Sequence, residues 1–165
     1  MKQGAVTAGY AGDREVVVKL LNDALATETV CVLRYRHHYL IASGINAKSV
    51  AAEFLEHANE EQEHADKIAR RIVQLEGDPN LSPDSLTARS HASYGSAEDL
   101  VGMLEEDLVA ERIAIDTYRQ IIQYLGNDDP TTRRVMESIL AQEEEHAEDI
   151  GSLLKDVGRD SMKEK

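Results

Sequence analysis

The sequence has little that would cross-link the chain, interrupt its helices or anchor it in a membrane. It contains one cysteine, three prolines and no tryptophan among 165 residues. Because Cys31 has no partner for an intrachain disulfide, a disulfide-stapled secreted scaffold is excluded and a reducing, cytoplasmic location is expected. No apolar run approaches the ~18 residues of a membrane span, and the N-terminus lacks the apolar segment of a signal peptide. We therefore expect neither membrane insertion nor secretion.

Basic residues are scarce as well. The chain has 18 Lys and Arg against 31 Asp and Glu, which gives a formal net charge of −13. A chain this acidic repels the phosphates of nucleic acids and the headgroups of anionic lipids, but it can attract cations. DNA and membrane surfaces are therefore not expected partners.

Aromatic residues make up only 4% of the chain, and the apolar residues that remain follow a helical pattern. Their 3.6-residue spacing predicts four helices, over residues 13–43, 47–76, 96–126 and 129–158. Ser96 and Asp99 have the spacing of a capping box, which predicts the start of the third helix. Asp129 followed by Pro130 is typical of an N-cap and the first helical position, which predicts the start of the fourth.

The connections between these helices predict how they are arranged. The first and the last connection are only a few residues long, which favours two antiparallel hairpins. The middle connection, residues 77–95, could extend up to about 60 Å at ~3.3 Å per residue, enough to run much of a helix's length. We therefore predict an all-α fold, an antiparallel four-helix bundle with one long crossover between helices two and three. The bundle should span 13–157, between an N-terminal tail of 1–12 and a short charged tail of 158–165.

The two predicted hairpins resemble each other. The segment EQEHADKI at residues 61–68 resembles EEEHAEDI at residues 143–150, at an offset of 82. Residues 25–35 resemble residues 108–118 at an offset of 83, with a glutamate and a tyrosine at matching positions. Two such copies packed face to face would place matching residues around a pseudo-twofold axis.

Polar residues interrupt the apolar stripe of each predicted helix near its midpoint. They are four glutamates and two histidines, each histidine three residues after a glutamate: Glu28, Glu61, His64, Glu111, Glu143 and His146. Antiparallel helices of similar length align their midpoints, so all six side chains should meet at the centre of the bundle. Four buried carboxylates repel one another unless cations neutralise them, and two divalent metal ions would balance their charge. Di-iron and di-manganese carboxylate bundles use this donor set, one Glu from each of two helices and Glu-x-x-His from each of the others.

Some neighbouring residues leave alternatives open. Glu60 also lies one turn from His64, but its counterpart in the repeat is Gln142, so the repeat disfavours Glu60 as a ligand. Tyr35 and Tyr118 either donate hydrogen bonds to carboxylates across the bundle or are ordinary aromatic core. The six donors themselves could pair as buried salt bridges without any metal.

The sequence also allows predictions for the other polar and sulfur-containing residues near these motifs. His57 is either an accessory metal residue or a satisfied buried polar group. Cys31 is expected to fill the core rather than to bind metal. Glu63 and Glu145 precede the two histidines and should point to solvent. Surface or interface positions are expected for the remaining histidines, His37, His38 and His91.

With these six donors on four predicted helices, the sequence resembles the ferritin-like superfamily, and bacterioferritins in particular. The local similarity is clearest in Glu61-x-x-His64-Ala-Asp and in the segment RIVQLEGDPNL at residues 71–81. The resemblance spans residues 13–156 and implies that the six donors form a ferroxidase centre for two irons. It implies that Glu61 and Glu143 bridge the irons, that the other two glutamates are terminal ligands, and that Tyr35 lies beside the centre.

The chain departs from bacterioferritins at two places. Gln62 stands where they have the methionine that ligates haem, so haem is not expected. Only 19 residues follow His146, so the short fifth helix of bacterioferritins is not expected, and in this respect the chain resembles the dodecameric mini-ferritins. We expect a homo-oligomer of 12 chains, with 24 as the alternative. The single cysteine cannot supply the cysteine pair of thioferritins or the Cys-x-x-Cys pairs of rubrerythrins.

The function that the resemblance implies is oxidation of Fe(II) by O2 or H2O2, followed by storage of the product inside a hollow cage. Manganese or zinc are possible substitutes for iron. Three alternatives remain at this stage: a di-iron or di-manganese oxidase or peroxidase that stores nothing, a DNA-protecting mini-ferritin, and a metal-free interaction bundle.

Overall fold

The computed structural model describes residues 4–44 and 47–163, and within these ranges every regular element is a helix. The long helices are α1 (Arg14–Ile41), α2 (Ala47–Gln74), α4 (Leu100–Leu125) and α5 (Pro130–Lys163). The crossover contains a 3-10 turn at Pro83–Ser85 and a short helix, α3 (Leu86–Arg89), neither of which the sequence pattern predicted. The predicted four-helix bundle with one crossover is confirmed. None of the described helices combines the length and apolarity needed to cross a membrane.

Helix α4 begins three residues later than its capping pattern indicated. The N-cap is Asp99, whose carboxylate accepts a hydrogen bond from the Gly102 N–H at 3.0 Å. Ser96, predicted to open the helix, precedes it, and its N–H donates to the carboxylate of Glu106 at 2.9 Å. The prediction that Ser96 caps this helix was therefore wrong. A carboxylate on the helix itself binds the preceding backbone instead.

Helix α2 ends in a motif that depends on the small size of a glycine. Glu76, at φ 60°, takes the left-handed position, and the Gly77 N–H donates to the Ile72 carbonyl oxygen at 2.9 Å. A Cβ on Gly77 would lie 2.7 Å from a methyl group of Val18. Gly77 is thus needed for the close approach of α1 to the end of α2, and not for a left-handed backbone.

Both predicted tails differ from expectation. Helix α5 continues past Gly158 to Lys163, because one glycine lowers helix stability by only about 1 kcal/mol and no proline follows it. At the other terminus, Val6 and Tyr10 pack against the core. The Tyr10 hydroxyl donates to Asp129 at 2.9 Å, which ties the N-terminal segment to the start of α5.

The hydrophobic core is divided into two clusters by the helix midpoints. One contains the first half of α1, the second halves of α2 and α4, and the first half of α5, including Leu21, Ile68, Ile121 and Ile139. The other contains the remaining halves, including Cys31, Phe54, Leu104 and Ile150. Along all four long helices the predicted glutamates lie between the two clusters. The bundle therefore holds its polar residues in one buried layer.

Candidate metal centre

The six predicted donors lie together in this layer. Each is at most 2% exposed, and they form two groups whose ligand atoms lie within 4.8 Å of one another. One group is Glu28, Glu61, His64 and Glu143, and the other is Glu61, Glu111, Glu143 and His146. Glu61 and Glu143 belong to both groups. The arrangement is that of two adjacent cation positions sharing two carboxylates.

In the first group the donor atoms surround the Nδ1 atom of His64. It lies 3.3 Å from a Glu28 oxygen, 3.4 Å from a Glu61 oxygen and 3.2 Å from a Glu143 oxygen. Metal–ligand bonds of about 2.0–2.2 Å place neighbouring ligands about 3.0–3.5 Å apart at octahedral to tetrahedral angles. These donors are therefore spaced as ligands of one ion would be.

The second group repeats the pattern around the Nδ1 atom of His146. Glu61, Glu143 and Glu111 oxygens lie 3.4, 3.5 and 3.9 Å from it. The longer distance to Glu111 leaves this group slightly wider than the first. The two groups follow the pseudo-twofold relation that the repeated sequence predicted.

At the centre of this layer, several buried polar atoms have no hydrogen-bond partner among the described residues. Eight buried atoms have no hydrogen-bond partner there: six carboxylate oxygens of the four glutamates and the Nδ1 atoms of His64 and His146. A buried polar atom without a partner costs about 1–3 kcal/mol, and more when it is charged. Ion pairing among the six donors offsets part of that cost, because their distances lie in the ion-pair range, but it leaves the eight atoms without hydrogen bonds. Two divalent cations would satisfy all eight atoms, so the residues fit a dinuclear metal centre.

Two tyrosines hold the terminal carboxylates from opposite hairpins. Tyr35 on α1 donates its hydroxyl hydrogen to Glu111 on α4, and Tyr118 on α4 donates to Glu28 on α1. Both tyrosines are fully buried. Tyr35 and Tyr118 therefore donate hydrogen bonds to carboxylates across the bundle and are not ordinary aromatic core residues. Each bond fixes one oxygen of its carboxylate and leaves the other directed at the centre.

The outer nitrogen of each histidine is also bound by the opposite hairpin. The Nε2 atom of His64 lies 3.0 Å from the side-chain oxygen of Gln142, to which Lys67 also donates at 3.3 Å. The Nε2 atom of His146 lies 2.8 Å from a Glu60 carboxylate oxygen. Since both partners are acceptors, Nε2 is protonated in each ring, and once the ring is neutral its Nδ1 atom is free to bind a metal. Glu60 therefore orients a histidine across the bundle.

The charges of the metal-free centre can be deduced from the directions of its pKa shifts. Burial, followed by repulsion from Glu143 and Glu61, raises the pKa of Glu28 and of Glu111 well above the usual range. Burial also acts to raise the pKa of Glu61 and to lower that of His146. Contacts with Glu28, His146 and His64 outweigh burial at Glu61, and contacts with Glu143 and Glu61 outweigh it at His146. The pKa of Glu61 consequently lies well below the usual range, and that of His146 rises to about 12.

Glu143 and His64 follow the same pattern on the other side of the centre. Contacts with the imidazoles outweigh the effects of burial and of Glu61, and so lower the pKa of Glu143. Contacts with the carboxylates outweigh burial and raise the pKa of His64. Without metal, these shifts favour two imidazolium groups paired with the carboxylates of Glu61 and Glu143, and they favour the neutral form of Glu28 and Glu111.

His57 and Cys31 adjoin the centre without belonging to either group. The His57 ring is stacked on His146 with centroids 4.1 Å apart, and its Nδ1 atom lies 3.4 Å from the Tyr35 hydroxyl. Burial, then repulsion from His146, lowers the pKa of His57 to about 4. Cys31 packs in the core beside the Arg34 guanidinium, 3.5 Å from its Nη2 atom. Burial raises the pKa of this thiol well above its usual range.

A buried ionic network near the centre was missed in the sequence. Asp107 accepts from the Arg34 Nε–H at 2.7 Å, and its other oxygen lies 2.9 Å from the His38 Nδ1 atom. The prediction of a surface or interface position for His38 was wrong, because this carboxylate from α4 makes its burial favourable. His37 is half-buried against Tyr94, and His91 is exposed. Asp107 lies one turn before Glu111 on the same apolar stripe, and that was the available signal.

Comparison with known proteins agrees with this geometry. Residues 18–159 match the ferritin family, described as a ferritin-like domain. A bacterioferritin of Rhodobacter capsulatus is 33% identical over 139 residues, which cover 83% of this chain and 81% of the relative. The bacterioferritin-related protein of Bacteroides fragilis, a dodecameric thioferritin, superposes with a TM-score of 0.87 at 36% identity, covering 93% of this chain and 92% of the other.

Dps from Thermosynechococcus elongatus shares the fold, with a TM-score of 0.82 at 20% identity over 85% of this chain and 90% of the other. The identity with the Rhodobacter bacterioferritin confirms the resemblance to bacterioferritins. A match over most of the chain, together with a relative that shares a third of its residues, means that the chain belongs to the ferritin family.

Proposed function

We propose that the chain is a ferroxidase, which oxidises Fe(II) in the buried polar layer and stores the ferric product inside a hollow homo-oligomer. The observation that carries this proposal is the pair of four-donor groups that share Glu61 and Glu143 and contain eight atoms without hydrogen-bond partners. Family membership and the bacterioferritin relatives support iron as the metal.

Each side chain of the centre has a distinct role in this proposal. Glu61 and Glu143 hold both irons, because each belongs to both groups. Glu28 and Glu111 each hold one iron, through the oxygen that its tyrosine does not bind. His64 and His146 provide one Nδ1 atom to each position.

When bound, two Fe(II) ions supply one electron each to O2 or H2O2, the two oxidants that we propose. The carboxylate oxygens are hard donors, which stabilise the trivalent product and make the oxidation favourable. The protons that leave His64 and His146 on loading allow their neutral rings to bind. Tyr35 and Tyr118 keep the terminal carboxylates in place while the charge at the centre changes.

We make further proposals about the number of chains, the metals, haem, DNA and the location of the protein. Twelve chains per cage is supported by similarity to the dodecameric thioferritin, with 24 as the alternative. Manganese or zinc could occupy the same donors. Gln62 offers an amide where bacterioferritins have the methionine that ligates haem, so we propose that haem is not bound there. The net charge of −13 argues against DNA as a partner, and the single buried thiol of Cys31 supports a cytoplasmic location.

Anaerobic titration with Fe(II), followed by exposure to air or to H2O2, tests the ferroxidase proposal. Uptake of two Fe(II) per chain and a fast rise of ferric absorbance are expected. Glu61→Ala should abolish the fast phase while the helical circular dichroism is retained. Glu63→Ala, at an exposed position of the same helix, is the matched control and should behave as the wild type. Unchanged kinetics in Glu61→Ala would remove this residue from the centre.

Storage is tested separately from oxidation. A cage should have a solution mass of 12 or 24 times the chain mass of 18.3 kDa and should retain iron far beyond two per chain. A dimer with fast oxidation and no retained iron would instead favour the non-storing oxidase or peroxidase. Retardation of DNA in a low-salt gel shift would overturn the proposal that DNA is not a partner.

A further inference from the structure

The internal repeat allows the two flanks of the dinuclear centre to be compared position by position. At the offset of 82 residues, the counterparts of Glu53, His57 and Asp149 are Val135, Ile139 and Lys67. One flank therefore has two carboxylates and an imidazole where the other has two aliphatic side chains and an ammonium group. The pseudo-twofold relation that explains the centre does not extend to these positions.

The three residues of the acidic flank converge on one point. The His57 Nε2 atom lies 3.6 Å from a Glu53 oxygen and 3.9 Å from an Asp149 oxygen. Ligand atoms of all three lie within 4.8 Å of one another. The distances are too long for hydrogen bonds but suit three donors around an ion. The imidazole is only 2% exposed, so water satisfies it poorly.

The hydrogen bond at Nδ1 of His57 determines whether Nε2 carries a hydrogen or a lone pair. Tyr35 donates its single hydroxyl hydrogen to Glu111, so its oxygen can only accept from the His57 Nδ1–H. In the neutral ring Nε2 then carries a lone pair, which faces two carboxylates. A lone pair and two negative charges repel one another unless a cation lies between them.

A second grouping, His57 with Glu60 and His146, is the weaker candidate. The Glu60 carboxylate already binds the His146 Nε2–H at 2.8 Å, so its charge has a partner. On the opposite flank the ammonium of Lys67, the counterpart of Asp149, donates to Gln142 at 3.3 Å. At this matching position one flank thus has an ammonium group and the other a carboxylate.

We propose that Glu53, His57 and Asp149 bind a third divalent cation, adjacent to the dinuclear centre but separate from it. One imidazole and two carboxylates suit first-row transition metals such as Fe(II), Mn(II) or Zn(II) better than they suit Ca(II) or Mg(II). The Asp149 side chain is 55% exposed and that of Glu53 is 32% exposed, so an ion can reach them from solvent. His57 is stacked on His146 and connects this site with the centre. The inference goes beyond the proposed function and does not depend on the chemistry there.

Counting tightly bound Zn(II) in the assembled protein tests the third site. Zn(II) is redox-inert, so the count does not depend on oxidation. After equilibrium dialysis at low free Zn(II), we expect three ions per wild-type chain and two in the double variant Glu53→Gln, Asp149→Asn. Both substitutions lie on exposed or half-exposed side chains, and the fold should survive them. The control Glu63→Gln, Glu145→Gln removes two exposed carboxylates from the same two helices and should still bind three.

A further variant separates this proposal from the dinuclear one. Glu61→Gln, Glu143→Gln dismantles the shared carboxylates and should leave one Zn(II), which disappears when Glu53→Gln and Asp149→Asn are added. A wild-type chain that binds only the single ion removed by those two substitutions would overturn the dinuclear centre and support the third site. Two ions in the wild type that the Glu53 and Asp149 substitutions do not change would overturn the third site alone. Equal loss of an ion in the Glu63, Glu145 control would also overturn it, because general surface charge would then explain the binding.

Discussion

Glu60 and Gln142 occupy matching positions on α2 and α5, and each accepts a hydrogen bond from the histidine of the other helix. One acceptor is a carboxylate and the other an amide, so the two histidines differ in basicity. A carboxylate behind a metal-bound imidazole strengthens the imidazole as a ligand. The position that uses His146 should therefore bind a divalent ion more tightly than the position that uses His64.

Replacing Glu60 by Gln should make the two positions alike. Because such outer partners are worth about 10–100-fold in metal affinity, Glu60→Gln should weaken the tighter of the two binding steps by about that factor. Calorimetric titration with Zn(II) resolves the steps. Gln142→Glu is the complementary variant and should strengthen the weaker step. If Glu60→Gln changes neither step, the difference between the two histidines has no energetic consequence.

The tyrosines should matter for both stability and oxidation. Tyr35→Phe and Tyr118→Phe each leave a buried carboxylate oxygen without its donor, which costs about 1–3 kcal/mol. We expect that loss in the free energy of unfolding of the metal-free protein, measured by urea denaturation, together with slower Fe(II) oxidation. Tyr94→Phe, at an exposed tyrosine of the crossover, should change neither quantity. Full stability in both buried variants would show that their hydroxyl bonds contribute nothing net.

Metal loading should release protons. In the metal-free centre the pKa values of Glu28, Glu111, His64 and His146 are all raised, so each group keeps its proton to a higher pH than usual, and a metal must displace that proton. At neutral pH, filling both positions should release two protons per chain from the imidazolium groups, and further protons from the two carboxyl groups wherever the pH lies below their raised pKa values. Because protons compete with the metal, affinity should rise with pH.

Zn(II) titration of lightly buffered protein with a pH indicator measures this release. Glu61→Gln, Glu143→Gln serves as the control, because it should bind few ions at the centre and release few protons there. Release near zero in the wild type would mean that the four groups are already deprotonated before the metal arrives.

Gly77 offers a test of helix packing that is independent of metal. Gly77→Ala would place a methyl group 2.7 Å from Val18, and such overpacking typically costs about 1–3 kcal/mol. The free energy of unfolding should fall by that amount in Gly77→Ala and recover in part when Val18→Ala is added. Gly151→Ala is a suitable comparison, because nothing lies within 4 Å of its added carbon and it is helical. A Gly77→Ala protein of unchanged stability would mean that α1 can shift away from the end of α2 without a cost in free energy.

The donors could be predicted from sequence because each is a charged residue on an otherwise apolar stripe, and because the repeat gives every donor a counterpart. Helix periodicity was sufficient to place Glu28 and Glu111 at one level. The same periodicity could not place His38, since its burial depends on Asp107, 69 residues away in the chain. The cap of α4 was misplaced for a similar reason, because Glu106 binds the Ser96 backbone from within the helix.

The two similar hairpins belong to one chain, and this has a consequence for how the two sides of the centre can differ. In a pair of identical hairpins every substitution would appear twice, once on each side of the axis. In this chain three pairs of matching positions differ while the six donors match: Glu60 and Gln142, His57 and Ile139, and Asp149 and Lys67. Because both hairpins belong to one chain, matching positions on the two sides of the centre can hold different residues. Ions that approach from opposite sides therefore meet different side chains.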